Sequence, residues 1–343
     1  MKKILSFLLA MLLLLTAFSG CSANTGNQPD TGESSTDESD MLNLGSSKPD
    51  SSNLEITDSS LESKDNNDKD ESESESVKKE PTSAIKTFER SGKYILFGEF
   101  PQKLKAANVT VSKQTDSRGY FLGSDGAYYA KVVASACSSG YKFSSGAEVK
   151  DGETYYFKVE PIKWIVVAEA DGVATLLCDS AIAAMQCDAD SNIYKDSDVR
   201  GWLGNKFFNS AFSATQKPLI EETTVDNSAD STGIASNPYA CENTKEKVFL
   251  LSYKESLSSA YGFNTANTNA DKARQKQVTD YAKATGAYAS ENGNAIWWLR
   301  SPSDNRKFNE KNSRAVSEEG TVIDLYSLVN YACVVPALKL KTK

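Results

Sequence analysis

Apolar and polar positions divide the chain into three regimes. Residues 4–17 are predominantly apolar, residues 22–80 hold few large apolar side chains, and from about residue 86 onward apolar positions alternate or recur at helical spacing. In that last regime "GYFLGSDGAYYAKVV" (119–133) and "KWIVVAEADGVATLLC" (163–178) set Ser124-Asp125-Gly126 and Asp171-Gly172 between apolar flanks. Asp-Gly tolerates the positive φ of a tight turn, so both stretches predict antiparallel hairpins. "KDSDVRGWLGNKFFNSAF" puts Val199, Trp202, Leu203 and Phe207 on one helical stripe, with Ser197 or Asp198 as N-cap. Gly201 and Gly204 weaken this helix, so tertiary packing must carry it. "FSATQKPLIEE" predicts a short helix capped by Ser213 and limited by Pro218. After the apolar strand "KVFLL", Ser252 to Glu255 fit a capping box, and residues 270–284 predict a further helix ending at Gly286. Strands return in "AIWWLR", in "RAVSEEGTVIDLY" with a turn at Gly320, and in "ACVVPALKL", where Pro336 predicts an edge strand or a bulge. Strands, then helices, then strands predict an α+β domain with non-local pairing.

The N-terminal regimes carry a different message. "MKKILSFLLAMLLLLTAFSGC" has a basic start, an apolar run and small residues before Cys21, the pattern of a secretory signal and not of a spanning helix. Its "FSGC" ending resembles a bacterial lipobox, which implies a thioether-linked lipid on Cys21; the competing reading is an ordinary cleaved signal with a chance cysteine. Residues 22–80 contain sixteen acids and five lysines, a charge of −11 against −8 for the whole chain. With Lys2 and Lys3 in the signal, about +1 remains for residues 81–343, so the acidity belongs to the tether and not to the folded part. Such a polar segment buries too little apolar surface to offset its ordering entropy and predicts a disordered stalk. A flexible coil of roughly 60 residues spans on the order of 40–45 Å. The expected organisation is a lipoprotein signal peptide over 1–20, an acidic tether over 21–85 and a folded domain over 86–343.

Composition narrows the chemistry. The chain has no histidine, which excludes Ser-His-Asp and Cys-His hydrolases, HExxH peptidases and His-ligated metals. It has no phosphate-cradling glycine loop and no basic block with interleaved aromatics, so neither nucleotide nor nucleic acid is an expected partner. Cys137, Cys178, Cys187, Cys241 and Cys333 form an odd set without CxxC spacing, against a full disulfide framework or a zinc cluster. "DADSNIYKDSD" presents Asp188, Asp190, Asn192 and Asp196 at the alternating spacing that wraps calcium in an EF-type loop. Ile193 and Val199 stand where the turn glycine and the bidentate glutamate belong, and a solvated loop leading into a helix N-terminus accounts for the same acids. No cofactor is therefore expected, calcium being the one candidate. A carboxylate glycosidase needs two acids about 5–9.5 Å apart; acids abound here, none marked by a motif. Cys333, beside "VVPAL", reads as a buried apolar thiol.

Six stretches in this order, "YILFGEFPQ", "EPIKWIVV", "VRGWLGNKFFNSAF", "KVFLLS", "WWLRSP" and "VVPAL", resemble a family of bacterial surface domains, domain-of-unknown-function 6273, from about residue 91 to 340. More remotely, a tryptophan strand followed by a hairpin and a C-terminal strand is similar to the C-type lectin-like superfold shared with formylglycine-generating enzymes. Val335 replaces the arginine usual in that ending, and the close cysteine pair of such oxidases is missing, so the likeness implies a fold and no activity.

In "AIWWLRSPSDNR" (295–306), strand alternation puts Trp297 and Leu299 on one face and Trp298 and Arg300 on the other. The second face could hold a sugar or peptide by stacking, with Arg300 anchoring a carboxylate. Alternatively both faces are covered, and Arg300 is buried against an acid from the helical middle. Large aromatics in a motif shared by assorted surface proteins hold a fold more often than a ligand. The expectation is a lipid-anchored bacterial cell-surface protein, joined to the membrane through Cys21, whose C-type lectin-like domain binds a glycan, a cell-wall polymer or a protein without catalysis. An exported carboxylate-based enzyme acting on glycan, and a purely structural surface domain, are the alternatives.

Overall fold

A computed structural model describes residues 87–304 and 311–343, all within the unit Lys78–Lys343. The signal, Cys21 and the acidic tether lie outside the described residues. The architecture is mixed α+β, dominated by strands with a few short helices. Among the described residues no helix is long and apolar enough to cross a membrane.

The N-terminal strands are β1 (Glu89–Ser91), β2 (Tyr94–Leu104), β3 (Val111–Thr115), β4 (Phe121–Gly123), β5 (Tyr128–Val133), β6 (Thr154–Ala170) and β7 (Val173–Cys178). Short strands follow: β8 (Ser180–Ala181), β9 (Ala183–Ala184), β10 (Ile220–Glu221), β11 (Thr223–Val225), β12 (Thr244–Glu246), β13 (Val248–Phe249) and β14 (Gln277–Val278). The chain closes with β15 (Trp297–Pro302), β16 (Asn312–Val316), β17 (Val322–Tyr326), β18 (Cys333–Val334) and β19 (Ala337–Lys341). Among the described residues one sheet has ten strands, ordered β10-β19-β7-β6-β5-β4-β3 with β1, β2 and β13 attached off that path; a second has five, ordered β17-β16-β15-β18-β9.

Both predicted hairpins form. β4 pairs β5 across Ser124–Gly126, and β6 pairs β7 across Asp171 and Gly172, whose φ of 52° and 76° supply the turn. In β2 the register slips between Leu96 and Glu99. Gly98 sits in that slip at φ +69°, and a Cβ there would stand 2.6 Å from the Phe212 ring and 2.8 Å from the Ala211 carbonyl. The glycine of "YILFGEFPQ" thus lets the strand touch the end of the central helix.

That helix runs as Asp198–Gly201, a π-helical turn Trp202–Phe207 and Phe208–Ala211. Ser197 caps it, its hydroxyl accepting from the Arg200 N–H. Val199, Leu203, Phe207 and Ala211 are buried, and Phe207 meets Phe100 of β2 edge-on at 5.2 Å. Trp202 is half-buried and stacks on Phe207.

Three expectations are corrected. After Ser213 the chain makes turns and only a 3-10 helix, Lys217–Leu219, because Pro218 cannot extend an α-helix. The helix predicted over 270–284 is confined to Asp280–Ala284; residues before it instead carry the buried side chains of Arg274 and Lys276 and the strand β14. Pro336 does not mark an edge. It separates β18, in the five-stranded sheet, from β19, which is paired on both sides in the large sheet. A proline with no N–H to donate is tolerated there because the strand changes sheets at that residue.

Candidate functional site

The tryptophan strand is core on both faces. All six residues of β15 are buried. Trp297 donates its indole N–H to the Arg274 carbonyl at 3.0 Å, and Trp298 donates to the Met185 carbonyl at 2.8 Å. Arg300, 3% exposed, donates through Nη1 to the Leu250 carbonyl (2.6 Å) and Glu255 Oε2 (2.5 Å), and through Nη2 to the Asp226 carbonyl (3.2 Å). Glu255 also accepts from the Ser252 N–H, closing the capping box of the short helix Tyr253–Ser256. One carboxylate therefore holds both a helix start and the buried arginine. A face occupied in this way leaves Trp298 no exposed surface, and Arg300 almost none, through which to meet a ligand.

The acidic loop does not gather around a centre. Asp188 is buried, and its Oδ2 accepts from the Ser191 N–H and hydroxyl, both at 2.7 Å. Asn192 turns inward and donates to the carbonyls of Asn312 (2.8 Å) and Ser303 (3.2 Å). Asp190 and Asp196 are exposed. Among the described residues no three acids or cysteines stand together to hold a metal ion. The loop instead ties the start of the central helix to β16. Cys137, Cys178, Cys187, Cys241 and Cys333 are all free thiols; Cys333 lies fully inside, and burial pushes its thiol far up.

Among the described residues two cavities bear on function. The first, ≈ 370 Å³, lies where β2 meets the end of the central helix and is lined by Glu99, Arg118, Ser210, Ser213, Thr215 and Gln216 among others. Arg118 governs its mouth. The guanidinium carbon stands 5.0 Å from the Tyr120 ring centre and 5.3 Å from that of Tyr128. Its Nε donates to Asp116 at 3.0 Å and its Nη1 to Glu99 at 3.3 Å. Burial pushes Asp116 upward, but hydrogen bonds from the Tyr120 N–H and from Arg118 outweigh it and hold the carboxyl below its usual range. Leu122 and Tyr128, cross-strand partners in the adjoining hairpin, are large apolar groups left exposed.

The second cavity, ≈ 390 Å³, lies between β6–β7 and the segment from Ser259 to Lys276. Ile165, Val167, Leu177 and Phe263 give it apolar walls, and Lys93 and Lys276 are its charged groups. Lys276 is 1% exposed, and burial pushes its ammonium down to about 8. Among the described residues no acceptor or anion lies within hydrogen-bond or ion-pair reach of its Nζ; nearby Asp179 is engaged by Lys163 at 3.0 Å. The sequence gives no sign of this, since "RQKQV" falls in the stretch 270–284 that predicts a helix, where a lysine ordinarily faces solvent.

The chain belongs to the family Domain of unknown function (DUF6273), whose model matches residues 171–342. The match opens at the β6–β7 turn and takes in the central helix, the tryptophan strand and the closing strands. "YILFGEFPQ" and "EPIKWIVV" precede it, so the likeness expected from residue 91 is shown from 171 onward. No curated protein and no solved structure gives a match.

Proposed function

From that family membership as premise, we propose that the folded part is an extracellular binding module of C-type lectin-like type. A lipidated Cys21 carries it on a bacterial membrane, and the acidic stretch to residue 85 lifts it outward. It holds a glycan, cell-wall polymer or protein without turning it over. The observation behind this reading is the first cavity: Arg118, near the rings of the buried Tyr120 and the exposed Tyr128, lines a recess together with Glu99, Ser210, Ser213, Thr215 and Gln216. An exposed aromatic ring, that of Tyr128, near a polar recess suits a hydroxyl-rich ligand, which stacks on the ring and exchanges hydrogen bonds with the polar groups. The lectin-like part of the reading rests on the order of elements, in which the tryptophan strand pairs with the β16–β17 hairpin on one side and with β18 on the other.

The test is a screen of the full chain against purified cell wall and glycans, with Tyr128→Ala and Arg118→Ala in parallel. Binding that falls about tenfold or more in both variants, in line with the loss of a stacking and a charged contact, fits the proposal. Release of new reducing ends by the wild-type chain would instead favour the carboxylate enzyme. Membrane retention of a Cys21→Ala chain would contradict the anchor.

A further inference from the structure

We propose that the cavity holding Lys276 is a second binding site, for a small organic carboxylate that carries an apolar group. The site is built rather than incidental. Its floor is one face of the large sheet, where Ile165 and Leu177 are direct cross-strand partners, and its cover is the segment Ser259–Phe263 with Ala273. Its ≈ 390 Å³ falls at the small end of ligand pockets, about 300–1,000 Å³. Among the described residues two lysines line it and no carboxylate does, so the ligand it favours is an anion. Ile165, Val167, Leu177 and Phe263 supply the apolar part of the lining, and Lys93, Ser259, Tyr261 and Lys276 the polar part, so an anion that carries an apolar group finds a counterpart for each. A monoanion with an apolar body satisfies both halves of the lining.

Lys276 sets the chemistry. A buried ammonium without an acceptor is costly, and the fold shows nearby how such a cation is satisfied. Arg274, two positions earlier and fully buried, donates all five of its N–H groups to carbonyls of Gly320, Ser256, Asn264, Ala266 and Asn269, at 2.6–3.2 Å. Lys276 has no such cage, and a bound carboxylate would supply the missing acceptor. The other titratable groups around it are Cys178 and Asp179 at the end of β7, Lys93 before β2 and Tyr261 on the covering turn. Cys178 is itself pushed up to about 12 by burial and stays neutral. Because the free amine loses its proton at about 8, binding a carboxylate near that pH draws in a proton.

The probes are 3-methylbutanoate, the dipeptide Gly-Leu, and Gly-Leu amide, titrated calorimetrically into the full chain at pH 6.5 and 9.5. Titrations at pH 8 in two buffers of different ionisation heat report the proton uptake. Expected are binding of 3-methylbutanoate at pH 6.5, at least tenfold weaker binding at pH 9.5, and proton uptake at pH 8; Lys276→Met removes all three. If Gly-Leu binds more tightly than the free acid while its amide does not bind, the source is a peptide C-terminus; the reverse order assigns a free acid. Arg118→Ala should leave these titrations unchanged, which keeps this site distinct from the rim of the first cavity. The proposal is overturned if no carboxylate binds in the millimolar range, if the amide binds as well as the acid, or if wild-type binding takes up no proton. Should Lys276→Met fail to fold, the wild-type pH dependence and proton uptake decide alone.

Discussion

Arg274 and Lys276 are buried cations two residues apart on one segment, and their surroundings differ completely. Arg274 is held by five backbone carbonyls, with Asp271 at 3.5 Å. Lys276 opens on a cavity with no acceptor for its ammonium among the described residues. Arg300 falls between them, with three of its five N–H groups accounted for by Leu250, Glu255 and Asp226 and its Nε buried without an acceptor. A satisfied buried cation fixes loops and strands to one another. An unsatisfied one at a cavity stores unfavourable desolvation that a ligand can relieve. The conspicuous "WWLR" motif therefore belongs with the architecture, and the inconspicuous "RQKQV" holds the side chain with chemistry to spare.

Breaking the satisfied side of this contrast gives the largest effects. Arg274→Met removes the donor from five carbonyls, those of Gly320 and Ser256 in buried bonds, and should cost about 4 kcal/mol or more, measured by urea unfolding. Trp298→Ala and Arg300→Ala should each cost about 3–5 kcal/mol, the first through a cavity and a lost indole bond, the second through an unpaired Glu255. Wild-type melting in either variant would return that face to the list of ligand surfaces.

On the unsatisfied side the sign reverses. Lys276→Met replaces an unpartnered ammonium with an apolar chain of similar shape and should raise stability at pH 7 by on the order of 2–3 kcal/mol. The pH dependence follows from linkage. The unfolded amine keeps its ordinary value of 10.5 while the folded one titrates at about 8. Between those values the unfolded chain binds the proton and the folded chain does not, so wild-type stability rises with pH through that window. The smallest effect belongs to the rim: Arg118→Ala, losing half-exposed ion pairs, should change stability by under about 1 kcal/mol while weakening ligand binding.

Local chemistry was readable in the chain where it acts locally. The Asp171-Gly172 and Ser124-Asp125-Gly126 turns, the Ser252–Glu255 capping box and the Ser197 cap are each decided by neighbours within four residues. What could not be read depends on distant partners. Pro336 signals an interrupted strand, but only the pairing of β18 with β15 and of β19 with β7 shows that the interruption is a passage between sheets. Residues 270–279 look helical by composition, yet the carbonyls caging Arg274 come from as far away as Gly320. Alternation divides Trp297 from Trp298, while the cover over each, the Arg274 and Met185 carbonyls, is tertiary. Asp188 and Asn192 carry the spacing of a calcium loop, but Asn192 spends its amide on β16. Neither cavity has a sequence signature, because each is assembled from segments more than a hundred residues apart.

The most direct test is the unfolding free energy of the wild type and of Lys276→Met measured in parallel from pH 6.5 to 10.5. An unpartnered buried amine predicts a variant more stable than the wild type below pH 8, with the difference closing as pH approaches 10.5. A variant less stable than the wild type at pH 7, or a difference independent of pH, would mean that Lys276 has its partner inside the protein and that the cavity is not waiting for an anion.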